Sequence, residues 1–235
     1  MNVQDRRRIL GPVEARPLAF PEAAKITKNN ATDSNIEGNC TVLPKFEVSN
    51  IQTSLLKNCN GSCMIENDHT SILSSIYGPR STRSNLFESR CLINVTIKST
   101  IFPTSEVKEL SSFLINMLES FVCLELYPKA GIDVFINLNI EKINDLSWYI
   151  PYIMMSIVLG LVDANIEISD LPGCGFNDNN SICFTKNGTE MIGIWKDKGS
   201  IENETSFSES LEICKEQYLQ IKGLMADYLL NKISD

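Results

Sequence analysis

The sequence is poor in histidine, tryptophan and positive charge. Its 235 residues include one His and two Trp, and 21 Lys and Arg stand against 29 Asp and Glu, for a formal net charge of −8. A single imidazole argues against a metal site built from several histidines and makes Ser-His-Asp chemistry depend on one position. The negative balance argues against coating of nucleic acid by global charge, so a nucleic-acid role would need a local basic patch.

An apolar run long enough to cross a bilayer is also missing. The longest run covers residues 149–162 and contains Pro151. It is shorter than the roughly 18 residues that a membrane span needs. The run therefore predicts a buried core helix, and we expect no membrane partner.

We expect no secretory signal at the start of the chain, because residues 1–12 contain no extended apolar segment. We therefore expect the eight Cys to be reduced intracellular thiols, which behave as small buried hydrophobes. Cys59 and Cys63 form the one closely spaced pair, and no nearby His or second pair completes a zinc site. We expect neither a metal nor a cofactor.

The hydrophobic pattern predicts an α+β domain. Residues 1–45 are polar and interrupted by prolines, and they predict an extended, irregular segment before one domain over residues 46–235. Strand patterns occur near residues 62–65, 70–77, 91–97, 132–140, 166–170, 181–186 and 190–195. Helical spacing covers residues 104–121, 147–164 and 206–231. This order predicts a mixed sheet with helices packed on it.

Few residues could carry chemistry. His69 follows Asp68 in a predicted turn, and we expect a solvated turn residue rather than a catalytic base. Gly173 and Gly175 lack the third Gly and the Lys-Ser/Thr pair of a phosphate-binding loop, so a plain loop is expected there.

Three carboxylates flank the loop after the second predicted helix: Asp163, Asp170 and Asp178. Asp163 lies in the helix that we expect to be buried, where a capping or pairing role is the better interpretation. Composition and spacing by themselves identify no enzyme.

Arginines form two basic clusters. Arg80 and Arg83 lie on a predicted loop at a strand end with Arg90 nearby, and residues 6–8 are all Arg. Guanidinium groups suit bidentate contact with phosphate, and loops at strand ends are exposed. Two interpretations stay open for the loop: contact with nucleic-acid phosphate, or a solvated charged face.

Short segments along nearly the whole chain resemble the RNase PH-type subunits of the RNA exosome. They are GS at residues 61–62, IYGPR at 76–80, LINV at 92–95, YPKAGIDV at 127–134 and LGLVDANI at 159–166. A noncatalytic fungal branch of that family is similar in three further segments, DRRRILGP at 5–12, IGIWKD at 192–197 and CKEQY at 214–218.

The resemblance implies a fold and an assembly. The fold would be the RNase PH fold, related to the second domain of ribosomal protein S5. The chain would join other RNase PH-like subunits in a hexameric hetero-ring, with S1 and KH cap subunits on one face. Single-stranded RNA would thread through the ring to an associated 3′-exoribonuclease during rRNA maturation and RNA turnover. The implied locations are nucleus, nucleolus and cytoplasm.

The resemblance also bears on catalysis. Phosphorolytic relatives carry Gly-Gly-Thr-Arg at the start of the second helix, where the Arg and the helix N-terminus hold phosphate. Residues 147–150, Ser-Trp-Tyr-Ile, occupy that position here, so Ile150 replaces the arginine. The acidic stretch that should follow is short and is reduced to Asp178. We therefore expect no catalytic residues and no enzymatic activity.

The expected role is scaffolding and lining of the RNA channel, with Arg80, Arg83 and Arg90 as hypothetical RNA contacts. Bridging between subunits is an equal alternative for these arginines. Two other classes of function stay open. A phosphate-dependent 3′-exoribonuclease is disfavoured by the missing arginine, and a free-standing RNA-binding module would be a stable monomer.

Overall fold

A computed structural model of the chain describes residues 48–67, 70–81, 89–141, 145–177, 180–197 and 207–234. They all belong to one compact unit, Thr41–Asp235. The predicted N-terminal segment over residues 1–45 lies outside the described residues, so its separation from the domain of residues 46–235 stays a prediction. His69, Arg83 and Asp178 lie outside them too.

Five strands form a mixed sheet. In chain order they are β1 (Asn50–Thr53), β2 (Gly61–Asn67), β3 (Thr70–Ser81), β4 (Leu92–Ser99) and β5 (Ala130–Ile140). Their order across the sheet is β1-β2-β3-β5-β4, with β4 and β5 parallel and every other pair antiparallel. Parallel neighbours need a long crossover, and helix α1 (Thr104–Phe121) lies in it. The predicted α+β fold class is confirmed.

Alternation along the strands divides this sheet into a buried and a solvent-facing side. On β5, Ile132, Val134 and Ile136 are buried whereas Asn137 and Asn139 are exposed. Helix α1 packs on β4, and helix α2 (Leu146–Asp163) packs on β2 and β3. The buried side is therefore the core between sheet and helices, because burial of apolar surface is the main favourable term in folding.

Helix α2 is apolar on nearly all its faces. It is 18 residues long, longer than the predicted run, and by length and composition alone it could cross a membrane. In the fold, 83% of it is buried, since β2 and β3 contact one side and β6 and β7 the other. A helix that is hydrophobic on all sides is buried either in a protein core or in a bilayer, and α2 is buried in the core of this fold.

A second, three-stranded sheet covers the far side of α2. Its strands are β6 (Gly173–Asn177), β7 (Asn180–Thr185) and β8 (Glu190–Lys196), antiparallel in that order. Helix α3 (Phe207–Ser234) packs on β6 and β7. A small cluster that includes Ile182, Phe184 and Tyr218 fills the space between this sheet and α3. The described part thus has four layers: sheet, α1 with α2, sheet, α3.

Two local predictions are wrong. Residues 173–175, predicted as a plain loop, form most of strand β6. Glycine has a weak strand propensity, but Gly175 is needed for packing, because a Cβ there would clash with the backbone of Cys214 in α3. The glycine-rich stretch therefore forms a strand because it allows α3 to pack closely on it. The strand predicted near residues 166–170 is reduced to a single bridge between Val122 and Ile168.

The cysteines within the described ranges divide into one disulfide and free thiols. Cys174 and Cys183 face each other across β6 and β7 and are joined by a disulfide, so the expectation of reduced thiols is wrong for this pair. Its physical reason is the register, which brings the two Cα atoms to 3.9 Å. Among the free thiols, burial raises the pKa of Cys63 and of Cys214 to about 12.

Candidate nucleic-acid interface

Arg80 lies on the solvent-facing side of the first sheet, at the C-terminal end of β3. Its guanidinium forms an ion pair with Asp133 on the neighbouring strand β5. Asp133 also accepts a hydrogen bond of 3.0 Å from Asn94 on β4. The arginine side chain remains 57% exposed and, with five N–H donors in its fork, keeps donors for a further anion.

Arg90 lies at the same end of the sheet, two residues before β4 begins. Arg80 on β3 and Leu92 on β4 both pair with Gly131 of β5, so the sheet brings the two arginine-bearing segments to one edge. Arg90 is paired with the exposed carboxylate of Glu125 at 3.2 Å. Exposed pairs of this kind contribute little to stability and exchange easily with solvent or another anion. Arg83, the third predicted contact, lies outside the described residues.

The first turn of α2 is closed by a carboxylate of the chain itself. The backbone N–H of Ser147 donates a hydrogen bond of 2.7 Å to Asp197, just after β8. The other oxygen of Asp197 accepts one of 2.7 Å from the indole N–H of Trp195. Since a helix N-terminus attracts negative charge, Asp197 occupies the place where an external anion would bind.

The side chains of the same turn face the core. Tyr149 and Ile150 are both fully buried, and the ring of Tyr149 packs edge-on against Phe102 and Trp148. The hydroxyl of Ser181 on β7 donates to the carbonyl of Ser147 at 2.5 Å. The turn therefore contains no Lys or Arg for a ligand, and the amide of Ser147 is already bonded.

Asp163 has a structural position at the other end of α2. It accepts hydrogen bonds from the backbone N–H and the hydroxyl of Ser54, from the N–H of Ser62 and from the ammonium of Lys232. Burial favours the neutral carboxyl, but these donors outweigh it and lower the pKa of Asp163 below its ordinary value. The predicted pairing role is confirmed.

Asp170 is held in a second, separate cluster. Lys222 of α3 donates to it at 2.6 Å, and so does the backbone N–H of Lys186 at 2.6 Å. Burial again favours the neutral form, and the bonds from Lys222 and Lys186 lower the pKa of Asp170 nevertheless. Asp163 and Asp170 have different partners, so the structure does not join them into one catalytic pair. No group of three or more metal-ligating side chains occurs among the residues that the structure describes.

The sequence patterns missed Asp197 and an aromatic pair on the open side of the first sheet. In the sequence, Asp197 is visible only as a carboxylate two residues after Trp195 at the end of a strand. Only the fold brings it to the start of α2. The rings of Tyr77 and Phe135 lie 5.6 Å apart, edge to face. Both residues occur at outward-facing positions in the alternating patterns of their strands, which the sequence shows. The contact between the two rings depends on the pairing of β3 with β5, which the sequence does not show.

Comparison with known proteins defines the class. The crystal structure of rice Rrp46 has a similar fold, with a TM-score of 0.59 and 19% identity over 79% of this chain and 95% of that one. This similarity shows a shared fold, and it confirms the expected RNase PH type of architecture.

The family follows from the sequence match. The model of the 3′ exoribonuclease family, domain 1 (RNase PH), matches residues 47–167, and the chain belongs to this family. Exosome complex component Rrp41 of Pyrococcus horikoshii is 31% identical over 129 residues, 49% of either chain. The RRP41-like exosome component of Arabidopsis thaliana is 30% identical over 128 residues, 52% of this chain and 48% of its own length. The chain thus spans about half the length of these curated relatives.

Proposed function

We propose that the chain is a noncatalytic subunit of the RNA exosome core ring. The names of the similar proteins support membership in the exosome: two are exosome complex components, and the third is named Rrp46. Within the family, the segments at residues 5–12, 192–197 and 214–218 favour the type known in fungi as the mRNA transport regulator. Its role is to scaffold the ring and line the channel that guides RNA to 3′–5′ processing and degradation.

The observation that carries the noncatalytic part is the closed first turn of α2. Phosphorolysis needs an inorganic phosphate held next to the RNA end. Here the position of the phosphate-binding arginine is Ile150, whose side chain is fully buried, and the N–H of Ser147 already binds the carboxylate of Asp197. A second anion at this turn would meet a like charge at hydrogen-bond distance, which is unfavourable.

The proposed partners are the other RNase PH-like subunits, S1 and KH cap subunits, an associated 3′-exoribonuclease and single-stranded RNA. The proposed locations are nucleus, nucleolus and cytoplasm. Arg80, Arg83 and Arg90 are proposed contacts to the threaded RNA. The exposed guanidinium groups of Arg80 and Arg90 at one edge of the sheet support this, while contact with a neighbouring subunit remains the alternative use of the same groups.

Purification of the tagged chain from its native cell tests the assembly. We expect five other RNase PH-like proteins to be recovered with it in equal amounts, together with cap subunits. A stable monomer by native mass spectrometry, with none of these proteins, would favour a free-standing RNA-binding module and overturn the proposal.

A phosphorolysis assay tests the noncatalytic part. The alternative is a phosphate-dependent 3′-exoribonuclease, which the description of the family favours. We expect the purified chain, and the ring without its associated hydrolytic exoribonuclease, to release no nucleoside diphosphate from RNA when phosphate is added. Phosphate-dependent release above that of a phosphate-free control, lost on Ser147→Pro substitution in α2, would show a working site and contradict the proposal.

A further inference from the structure

The solvent-facing side of the first sheet contains a groove of about 390 Å³. It runs over β3, β5 and β4, on the side opposite α1 and α2. Apart from the buried Ile136, the lining residues are polar, aromatic or cationic. They are Ser75, Tyr77, Arg80, Thr96, Lys98, Phe135 and Asn137. We call this set the sheet-face groove.

The strand register sets the order of these side chains along the groove. Arg80 pairs with Gly131 at one end, and Lys98 pairs with Asn137 at the other. From Gly131 to Asn137 the strand advances about 20 Å at roughly 3.3 Å per residue. The aromatic pair of Tyr77 and Phe135, edge to face at 5.6 Å, lies between the two cations. The groove therefore has a cation at each end and aromatic rings in the middle.

The charge in the groove differs in sign from that of the whole chain. Lys98 is exposed and forms no ion pair with any residue that the structure describes. The carboxylate of Asp133 beside the groove is engaged by Arg80 and by the amide of Asn94. In a chain of net charge −8, a groove with two cations among its described lining residues is a local exception that suits a polyanion.

The remaining lining groups suit bases rather than a protein surface. Ser75, Thr96 and Asn137 place hydroxyl and amide groups beside the rings, as base edges require. Among the described residues, Leu92 is the one large hydrophobic on this side of the sheet that is markedly exposed. A protein-docking surface has a more apolar centre. Open sheets that present aromatic rings between cations are a known means of stacking single-stranded bases.

We propose that the sheet-face groove binds single-stranded RNA, with bases stacked on Tyr77 and Phe135 and phosphates near Lys98 and Arg80. The inference deepens the proposed function, because it places an RNA contact along the open side of the sheet, with Arg80 at one end of it, in addition to Arg83 and Arg90. It does not depend on ring assembly, since every group that forms the groove belongs to this chain.

The experiment measures binding of a fluorescein-labelled oligouridine to the 235-residue chain by anisotropy, over a range of salt concentrations. Tyr77→Leu keeps apolar bulk but removes the stacking face, and we expect it to weaken binding about tenfold to a hundredfold, since one stacked base contributes about 1–3 kcal/mol. Lys98→Gln should reduce the slope of log K against log salt by about 0.7, the loss of one phosphate contact on a single strand.

Lys108→Gln is the matched control. Lys108 is exposed on α1, on the other side of the sheet, so its loss changes the net charge equally and should leave the affinity and the slope unchanged. Lys98 is exposed, so its substitution tests the groove even if Tyr77→Leu lowers stability. Ultraviolet crosslinking, read by peptide mass spectrometry, should place the RNA on the peptides that contain Tyr77 or Phe135.

Three results would overturn the inference: affinity unchanged in both groove variants, equal losses in the Lys108 control, or crosslinks confined to other peptides. Protection of Tyr77 from hydroxyl radicals in the purified ring without RNA would show that a protein covers the groove, and would also overturn it. RNA binding in the groove by a chain that recovers no ring partners would contradict the proposed function alone, so the two failures are distinguishable.

Discussion

Asp163 joins three segments of the chain at the C-terminal end of α2. Ser54 follows directly after β1, Ser62 lies in β2, and Lys232 belongs to the last turn of α3. The carboxylate side chain is 9% exposed, and among its donors Ser62 is buried. Charge-assisted hydrogen bonds of this kind are stronger than neutral ones.

We expect Asp163→Asn to lower the free energy of unfolding by about 1–3 kcal/mol, the usual cost of leaving buried donors partly unsatisfied. Urea titration measures it. Glu190→Gln is the control, because Glu190 pairs with Lys186 on the surface with both side chains more than half exposed, and should change stability by less than about 0.5 kcal/mol. Equal effects of the two substitutions would contradict the structural role of Asp163.

The same contrast depends on pH in a definite direction. The pKa of Asp163 is lowered in the folded state, so its contribution is fully present above the unfolded carboxyl pKa of about 3.9. It is lost as the pH falls through the folded value. The stability difference between the native chain and Asp163→Asn should be constant near neutral pH and shrink below about pH 4.

At the scale of elements, the contact between β6 and α3 depends on glycine. A Cβ on Gly175 would lie 2.4 Å from the Cα of Cys214, so the helix backbone would have to move. In contrast, a Cβ on Gly223, in the middle of α3, would meet nothing within 4 Å. The two positions are therefore a matched pair for separating steric contact from helix propensity.

We expect Gly175→Ala to destabilise the chain by about 1–3 kcal/mol, as overpacking does. Gly223→Ala should stabilise it by about 0.5–1 kcal/mol, because alanine is the better helix former. Thermal unfolding followed by circular dichroism measures both. A neutral Gly175→Ala would mean that α3 does not pack on β6 as described, whereas a destabilising Gly223→Ala would mean that a partner covers that face.

At the scale of the whole molecule, net charge and local charge have different consequences. A formal charge of −8 makes most of the surface unfavourable for RNA. Any contact with RNA is therefore expected near Arg80, Arg83 and Arg90 and in the sheet-face groove. A channel-lining subunit requires positive charge only where it faces the channel. The acidic remainder then disfavours RNA bound elsewhere on the surface.

Charge reversal at Arg80 and Arg83 in the reconstituted ring tests this expectation. Arg80→Glu combined with Arg83→Glu should weaken binding of long single-stranded RNA and reduce its salt dependence, because two cations near phosphate are replaced by anions. Lys108→Glu is the control, with no change expected. Unchanged RNA binding would exclude these arginines as RNA contacts, and a reduced yield of intact ring would instead identify them as bridges between subunits.

Periodicity in the sequence predicted most elements, because each long element buries one repeating pattern. The alternation on β5 and the length of the apolar run in α2 can be read from a short window of the sequence without knowledge of the fold. The tight turn that joins β7 and β8 was predicted from Asn187 and Gly188, and both adopt the positive φ that such turns need. Strands β1 and β6 were missed because they are short and owe their existence to neighbours rather than to pattern.

The candidate site divides in the same way. The sequence by itself determined which cations were available and that no arginine stands at position 150, since these are matters of residue identity. Only the tertiary structure decided that Asp197 binds the first turn of α2, 50 residues away in the chain, and that Cys174 faces Cys183. It also decided that Tyr77 and Phe135 meet between Arg80 and Lys98. Register and packing between distant segments set these contacts, and no local pattern encodes them.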